Sequence, residues 1–455
     1  MEKGVHYDNT YSPVVGWSTI RSMLCLASSL NLHSRSIDFT NAFCQAEQKT
    51  PLYIELPAYY HVKGRENEDL VLLLKKSLYG TVTAPRQFFD YISAGMESEC
   101  FVPSASDPCL FIHKEHKVFV LLYVDDQIWI AKDPKHIKGH VESLQKKGFL
   151  LTMEESDNIF GFLGIDIKRR NGTVELTQTG LIKKVLDYTG MSDCNPTPTP
   201  ARNDPLGADK DGAPSKETWN YAAAVGMLLY LSSNTRPDIQ FAVHQCSRFT
   251  HSPKNSHAVA IKRICRYLKG TQDKGILFTP NLSEGLDCYV DADYAGLFSH
   301  EDDQDPMSVK SRTGFVLTLF GCPILWSSKL QAEISLSSVA AEYVAFSMSM
   351  RELLPMRRLL QEVCPVLNLE ICRPSLVRST VFEDNQGCLS LVNDPKMSPR
   401  NKYIALKCHF FREHIGEDKG IVAKYIRSEI QKADIFTKGL PEEGFQRIRK
   451  LLMGW

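Results

Sequence analysis

The chain has 455 residues, enough for two or three domains, with 43% hydrophobic and 23% charged residues, the balance of an ordinary globular protein. Lysine plus arginine and aspartate plus glutamate both number 53, so the net charge is zero, and any nucleic-acid surface must come from local clustering. Thirteen cysteines are scattered without a Cys-x-x-Cys pair, which argues against a structural zinc site or disulfide framework and for a reducing, intracellular compartment.

No apolar run reaches transmembrane length, the first residues lack a signal-peptide pattern, and no internal repeat is visible. Residues 18–30 carry Ile20, Met23, Leu24 and Ala27 at helical spacing. An apolar strand follows and ends at Asp38, and residues 52–57 read as another. Residues 61–69 are a polar loop, and 77–99 a turn and then a helix with Pro85 near its start. Residues 118–130 place two β-prone runs around Asp125-Asp126, which predicts a hairpin. Residues 135–147 are a polar helix, and 158–170 with 173–177 form a hairpin across Asn171-Gly172. Five prolines, from Pro196 to Pro214, make 195–216 the clearest linker. Beyond it, 219–250 and 254–270 read as helices. Strands begin at Asp287, followed by a helix over 339–363, a strand over 379–382 and a helix over 386–392. A strand over 421–426 and a helix over 433–440 close the chain.

Adjacent carboxylates at a hairpin tip repel, and a divalent cation relieves the repulsion; hard oxygen ligands suit Mg²⁺. Alone, Asp125-Asp126 reads first as an ordinary acidic turn. Asp38 on a second strand changes the balance, because Asp38 beside Asp125 makes a two-metal site with ions about 3.5–4 Å apart. A second acidic set comes later. Asp291 follows a strand, Glu342 lies on a helix, Asp384 follows a strand and Asp434 opens a helix. Each alone reads as a cap or turn acid; together they can converge on two Mg²⁺ ions and activate water against a phosphodiester. Asp291-Ala292-Asp293 alone also fits a glycosyltransferase metal–nucleotide site. On residues 254–270, Lys262, Arg266 and Lys269 share one face and Ile261, Ile264 and Leu268 another; the basic face suits a duplex backbone or plain solvent equally. Glu301-Asp302-Asp303 with Asp305 reads as a solvated loop insertion.

Tyr123-Val124-Asp125-Asp126 resembles the catalytic box of reverse transcriptases, and the flanking text resembles copia-type retrotransposon polyproteins. The matching pieces are Tyr11 to Val15, Ser18 to Arg21, Asp38 to Phe43, Leu74 to Gly80, Ala84-Pro85-Arg86 and Phe162 to Ile165. The second acidic set, in this order, resembles the RNase H domain that follows reverse transcriptase in such elements, which sets the glycosyltransferase reading aside. The resemblance implies an α+β fold: a palm and fingers with an antiparallel sheet over 1–194, the 195–216 linker, a helical thumb or connection over 217–280, and an RNase H-like mixed α/β domain over 281–455. It implies RNA-directed DNA polymerisation, with two Mg²⁺ ions (Mn²⁺ as substitute) held by Asp38, Asp125 and Asp126. Phe43 would sit under the incoming sugar, Tyr79 and Gly80 against nucleotide and template, and residues 162–165 would grip the primer terminus. Asp291, Glu342, Asp384 and Asp434 would hold the metals for hydrolysis. The implied partners are RNA template, DNA primer, RNA–DNA hybrid and deoxynucleoside triphosphates, with no membrane and a cytoplasmic, particle-associated or nuclear location.

The chain departs from the family in places. A Lys- and Arg-bearing strand that usually precedes the Tyr11 region is almost missing, and Thr81-Val82-Thr83 replaces the usual Leu-Lys-Gln. Ala340 stands where Glu is usual, and Tyr403 and Ala405 replace His and Asp. These departures carry two further readings: a decayed remnant that binds nucleic acid without polymerising, and a chain that keeps only the nuclease.

Overall fold

The sequence was folded as a computed structural model that describes residues 10–60, 62–65, 69–170, 172–298, 305, 307–369, 377–394, 404 and 406–455. Glu301-Asp302-Asp303, Tyr403 and Ala405 lie outside them. In chain order the first elements are α1 (Trp17–Ser29), β1 (His33–Phe39), α2 (Ala42–Gln45), β2 (Tyr53–Glu55), β3 (Val71–Leu73), α3 (Ala84–Ser98), β4 (Val102–Pro103), β5 (Leu110–His113), β6 (Val118–Tyr123), β7 (Asp126–Ala131), α4 (Pro134–Lys146) and β8 (Leu151–Met153). Two compact units emerge. The first comprises Leu32–Asp157 with the described residues up to Gly16; the second takes α1 and everything from Asn158 onward.

The first unit is built on a six-stranded antiparallel sheet in the order β4-β5-β6-β7-β1-β8. β6 is buried almost throughout, as expected of a central strand written as a continuous apolar run. Asp133 caps α4 by accepting from Lys135 N at 2.9 Å, and Pro134 fills the first helical position, where its missing N–H costs nothing. In α3 the buried Phe88 meets Phe39 of β1 edge-on at 5.6 Å. The expected hairpin is present: β6 and β7 pair up to Tyr123 opposite Asp126, leaving a two-residue turn.

The second unit continues with β9 (Ile159–Phe162), β10 (Ile165–Arg170), β11 (Thr173–Thr177), α5 (Thr179–Tyr188), α6 (Tyr221–Asn234), α7 (Gln240–Ser247), α8 (Asn255–Lys269), β12 (Ile276–Phe278), β13 (Leu286–Asp293), β14 (Arg312–Leu319), β15 (Cys322–Leu330), α9 (Ser338–Leu367), β16 (Ser379–Glu383), α10 (Gln386–Asn393), β17 (Ile421–Tyr425) and α11 (Glu442–Met453). It holds a four-stranded sheet, β12-β11-β10-β9, and a five-stranded one, β15-β14-β13-β16-β17. In the latter, β13, β14 and β15 are antiparallel, while β16 and β17 run parallel to β13. α9 packs across β13 and β14.

Two expected helices differ. The run over 219–250 is broken between α6 and α7, because Pro237 has no N–H to donate and Arg236 turns inward onto Asp238. The helix over 433–440 is instead a 3-10 turn, Lys432–Phe436. Residues 195–216 are held along α8 and α7. Arg266 Nε donates to the Asn195 carbonyl at 2.7 Å, Arg263 to Thr199 Oγ1 at 2.7 Å, and Gln245 Oε1 accepts from Leu206 N at 2.6 Å. The basic face of α8 is therefore largely spoken for, since Lys262 also pairs with Glu217 at 2.7 Å. No helix among the described residues is long and apolar enough to cross a membrane.

Candidate functional site

In the first unit, Asp38 lies directly opposite Asp126 in the β1–β7 ladder. Phe39 N donates to the Asp125 carbonyl at 3.3 Å, which ties the hairpin turn to the end of β1. Like charges facing each other across a ladder are destabilising. Burial first, then Asp125 and Asp38, raise the Asp126 carboxyl above its ordinary value. The turn itself is strained: Val124 has φ 57°, a left-handed conformation costly for a β-branched residue and concentrated at functional sites.

The chain turns sharply after β1 because Asn41 takes φ 51°, the conformation asparagine tolerates better than most. Short helix α2 is pinned by Gln45, whose Nε2 donates to the carbonyls of Thr40 at 2.8 Å and Leu150 at 2.7 Å and whose Oε1 accepts from Leu150 N at 2.9 Å. Phe43 is thereby held against Tyr79, with ring centroids 4.6 Å apart, and against Phe88 at 6.1 Å. Burial and the nearby Asp125 raise the Tyr79 hydroxyl. Gly80 adopts φ +91°, which a side chain would strain. Phe43, Tyr79 and the three acids thus belong to one neighbourhood. Residues 162–165 form a hairpin with Leu163 and Gly164 both left-handed at its tip, and they fall in the second unit.

In the second unit, Asp291, Glu342 and Asp384 each offer a carboxylate oxygen, and these atoms lie within 4.8 Å of one another. Asp291 is near the end of β13, Glu342 is in the second turn of α9, and Asp384 follows β16. Ser337 caps α9 by accepting from Ala340 N, which fixes the helix start just before Glu342. Asp434 joins from the 3-10 turn: Lys438 lies 3.1 Å from Asp434 and 3.9 Å from Asp291. Thr437 Oγ1 donates to Asp291, and Gln431 Nε2 donates to the Val290 carbonyl at 2.9 Å. Gly314 stands opposite Asp291, where a Cβ would lie 2.6 Å from Thr437 Cγ2; only glycine lets the turn approach β14 so closely. Ser428 Oγ donates to Asp384 at 2.6 Å.

The electrostatics of this set are those of crowded anions. Burial, then Glu383 and Asp291, push Glu342 up to about 12. Burial, then Asp291, against the pull of Lys438, push Asp434 up to about 7. Burial also raises Asp291 despite Lys438 and Thr437. Glu342 Oε2 is buried with no hydrogen-bond partner among the described residues. An all-oxygen donor set in which Asp291, Glu342 and Asp434 are raised, with an orphaned buried oxygen on Glu342, fits a hard divalent cation.

One residue was missed by the sequence reading. Glu383 is fully buried next to Asp384; its Oε1 accepts from Asn385 N at 3.0 Å, and its Oε2 has no partner among the described residues. The visible signal was a carboxylate at the inward-facing end of a buried strand.

A family model described as reverse transcriptase (RNA-dependent DNA polymerase) matches residues 2–203. The chain is 32% identical to the retrovirus-related Pol polyprotein from transposon TNT 1-94 of Nicotiana tabacum, over 99% of this chain and 33% of that protein. It is 32% identical to the Pol polyprotein from transposon RE1 of Arabidopsis thaliana, over 97% of this chain and 29% of that one. The transposon Ty1-H Gag-Pol polyprotein of Saccharomyces cerevisiae matches at 23% identity, over 97% of this chain and 24% of its own length. The chain thus spans a third or less of these relatives.

Proposed function

The chain belongs to the reverse transcriptase family carried by copia-type transposon Pol polyproteins, and on that premise we propose that it is an RNA-directed DNA polymerase joined to an RNase H. The observation that carries the polymerase is Asp38 facing Asp126 beside the Asp125 turn. We assign 1–194 to polymerase palm and fingers, 195–216 to a Pro-rich connector, 217–280 to a helical connection and 281–455 to the RNase H-like domain. The mixed five-stranded sheet with its flanking helices supports the last assignment.

Bound Mg²⁺ pairs would acidify the attacking hydroxyl or water and stabilise charge on the leaving group. The protein's part is to hold and orient. Asp38, Asp125 and Asp126 would hold the ions, at the place where a primer terminus and a deoxynucleoside triphosphate meet. Phe43, fixed by Gln45 and Tyr79, fills the space a 2′-hydroxyl would need. Tyr79 and Gly80 lie against nucleotide and template. Asp291, Glu342, Asp384 and Asp434 would hold the ions for hydrolysis of the RNA strand of a hybrid, and Lys438 partly balances the charge of Asp291 and Asp434. A second reading, nuclease activity alone, is favoured by the tighter gathering of Asp291, Glu342 and Asp384.

The test is primer extension on primed RNA and cleavage of an RNA–DNA hybrid, both with Mg²⁺, by wild type, Asp125→Asn and Asp384→Asn. Asp125→Asn should lose extension and keep cleavage, and Asp384→Asn the reverse. Cleavage without extension in wild type selects the nuclease reading; a folded chain that does neither is the decayed remnant.

A further inference from the structure

A second cluster of metal-ligand chemistry lies in the first unit, at the other end of β6 from Asp125, roughly 20 Å away by strand rise. The tip of the β5–β6 hairpin carries His113 and His116, spaced His-x-x-His. Helix α4 carries His136 and His140, one turn apart and so on one face. His113, His116 and His140 each offer a ring nitrogen, and these atoms lie within 4.8 Å of one another. His116 Nδ1 is 2.9 Å from His140 Nε2. The His116 ring is stacked between His113, at 4.4 Å and 8°, and His136, at 4.5 Å and 16°.

The surroundings are those of a prepared site. Glu99 Oε2 lies 3.1 Å from His140 Nδ1, which directs Nε2 toward the cluster. A carboxylate behind a histidine is the arrangement that orients metal-bound imidazoles. Glu99 also accepts from Ser143 Oγ at 2.6 Å and from Lys147. These partners overcome burial and hold the carboxyl down at about 2. Phe101 lines the cluster, meeting His113 at 5.3 Å and His140 at 5.0 Å, and both rings are buried.

We propose that His113, His116 and His140, with His136 beside them, bind a zinc-type divalent transition metal that ties the β5–β6 hairpin to α4. Imidazole donors select this class of ion over Mg²⁺. Tetrahedral zinc with metal–nitrogen bonds of about 2.0–2.1 Å holds its ligand nitrogens roughly 3.3 Å apart. The His116–His140 pair therefore needs to open by only about 0.4 Å, exchanging its hydrogen bond for two bonds to the cation. The absence of Cys-x-x-Cys pointed away from structural zinc. The signal was instead His-x-x-His with His-x-x-x-His, separated by 19 residues in sequence and joined only by the fold.

The test uses the full chain without an affinity tag, stripped by chelator and then titrated with Zn²⁺ against a chromophoric chelator and with Co²⁺ as a spectroscopic probe. One Zn²⁺ per chain should bind in the micromolar range or tighter, raise Tm in a concentration-dependent way, and give Co²⁺ bands of tetrahedral nitrogen ligation. The half-buried pair His116→Ala and His136→Ala should together lose at least tenfold in affinity and abolish the bands. Glu99→Gln should lose about 10- to 100-fold, while exposed His251→Ala binds as wild type. Folded wild type that binds no stoichiometric Zn²⁺ at 100 µM, or binding that survives loss of His116 and His136, overturns the proposal.

Discussion

Replacing Gly314 with alanine tests whether close approach, rather than the acids alone, builds the second carboxylate set. The added Cβ would meet Thr437 Cγ2 at 2.6 Å, Phe436 Cβ at 2.8 Å and the Ala433 carbonyl at 3.1 Å. Carbon contacts settle near 3.5–4.0 Å, so something must move by about 1 Å. β14 is hydrogen-bonded on both sides, to β13 and β15, and cannot move alone. The 3-10 turn has less holding it, chiefly Gln431 on Val290 and Thr437 on Asp291. Overpacking of this kind costs about 1–3 kcal/mol. A 1 Å displacement of a positioned group can cost about 100-fold in rate. Gly314→Ala should therefore unfold at lower denaturant by that margin and cut a hybrid about 100-fold more slowly, with Asp291 and Glu342 untouched. Thr437→Ser removes the methyl that clashes hardest, so the double variant should recover part of the stability, a coupling read by a double-mutant cycle. Wild-type stability and a wild-type cleavage rate in Gly314→Ala would refute the reasoning.

Two further outcomes follow from buried charges. Arg236 and Asp238 form a bidentate pair with both side chains fully buried, joined by Tyr267 and Thr271. Asp238→Asn leaves the guanidinium without its anion and should cost about 3–5 kcal/mol in thermal or denaturant unfolding; a loss below about 1 kcal/mol would mean that water reaches the pair. His244 Nδ1 takes a hydrogen bond from Arg312 at 2.9 Å, and burial followed by Arg312 pushes its pKa from 6.5 down to about 3. A depressed value means that its contribution is complete above pH 6.5 and is lost as pH falls from there toward about 3. Tm measured from pH 7.5 to 5 should fall more steeply for wild type than for His244→Gln, and equal slopes would remove His244 as the cause.

Where the pattern was local, the sequence was a reliable guide. The hairpin at Asp125 and the start of α9 before Glu342 each follow from residues within a few positions of one another. The break at Pro237 was passed over in reading 219–250 as one helix, although proline lacks the donor a continuous helix needs. What could not be read was set by distant pairing. The turn carrying Asp434 is a 3-10 segment because Gln431 and Thr437 bond to β13, more than a hundred residues earlier. The basic face of α8 was open to two readings, and its partners are carbonyls and a carboxylate of the proline-rich segment and its continuation. Glu383 was passed over because a buried carboxylate at a strand end becomes informative only when its neighbours are known to be acids as well.

The membership of α1 has a consequence for how the protein is made. Its neighbours in sequence belong to the first unit, yet Arg21 donates to the Ile324 carbonyl at 2.9 Å and Cys25 to that of Leu319 at 3.2 Å. These partners lie 303 and 294 positions later. A ribosome adding about 5–20 residues per second needs roughly 15–60 s to deliver them. During that interval the β10–β11 hairpin can reach α1, through Arg169 on the Ala27 carbonyl and Ser28 on that of Gly172, but the face that β15 finally covers stays open, while the first unit's sheet can already close around the gap in the chain. The nascent chain thus carries an early helix waiting for a late sheet. A truncation after Asp157 would leave that helix permanently uncovered, so the first unit should express more cleanly with residues 17–31 replaced by a polar loop than in its native sequence.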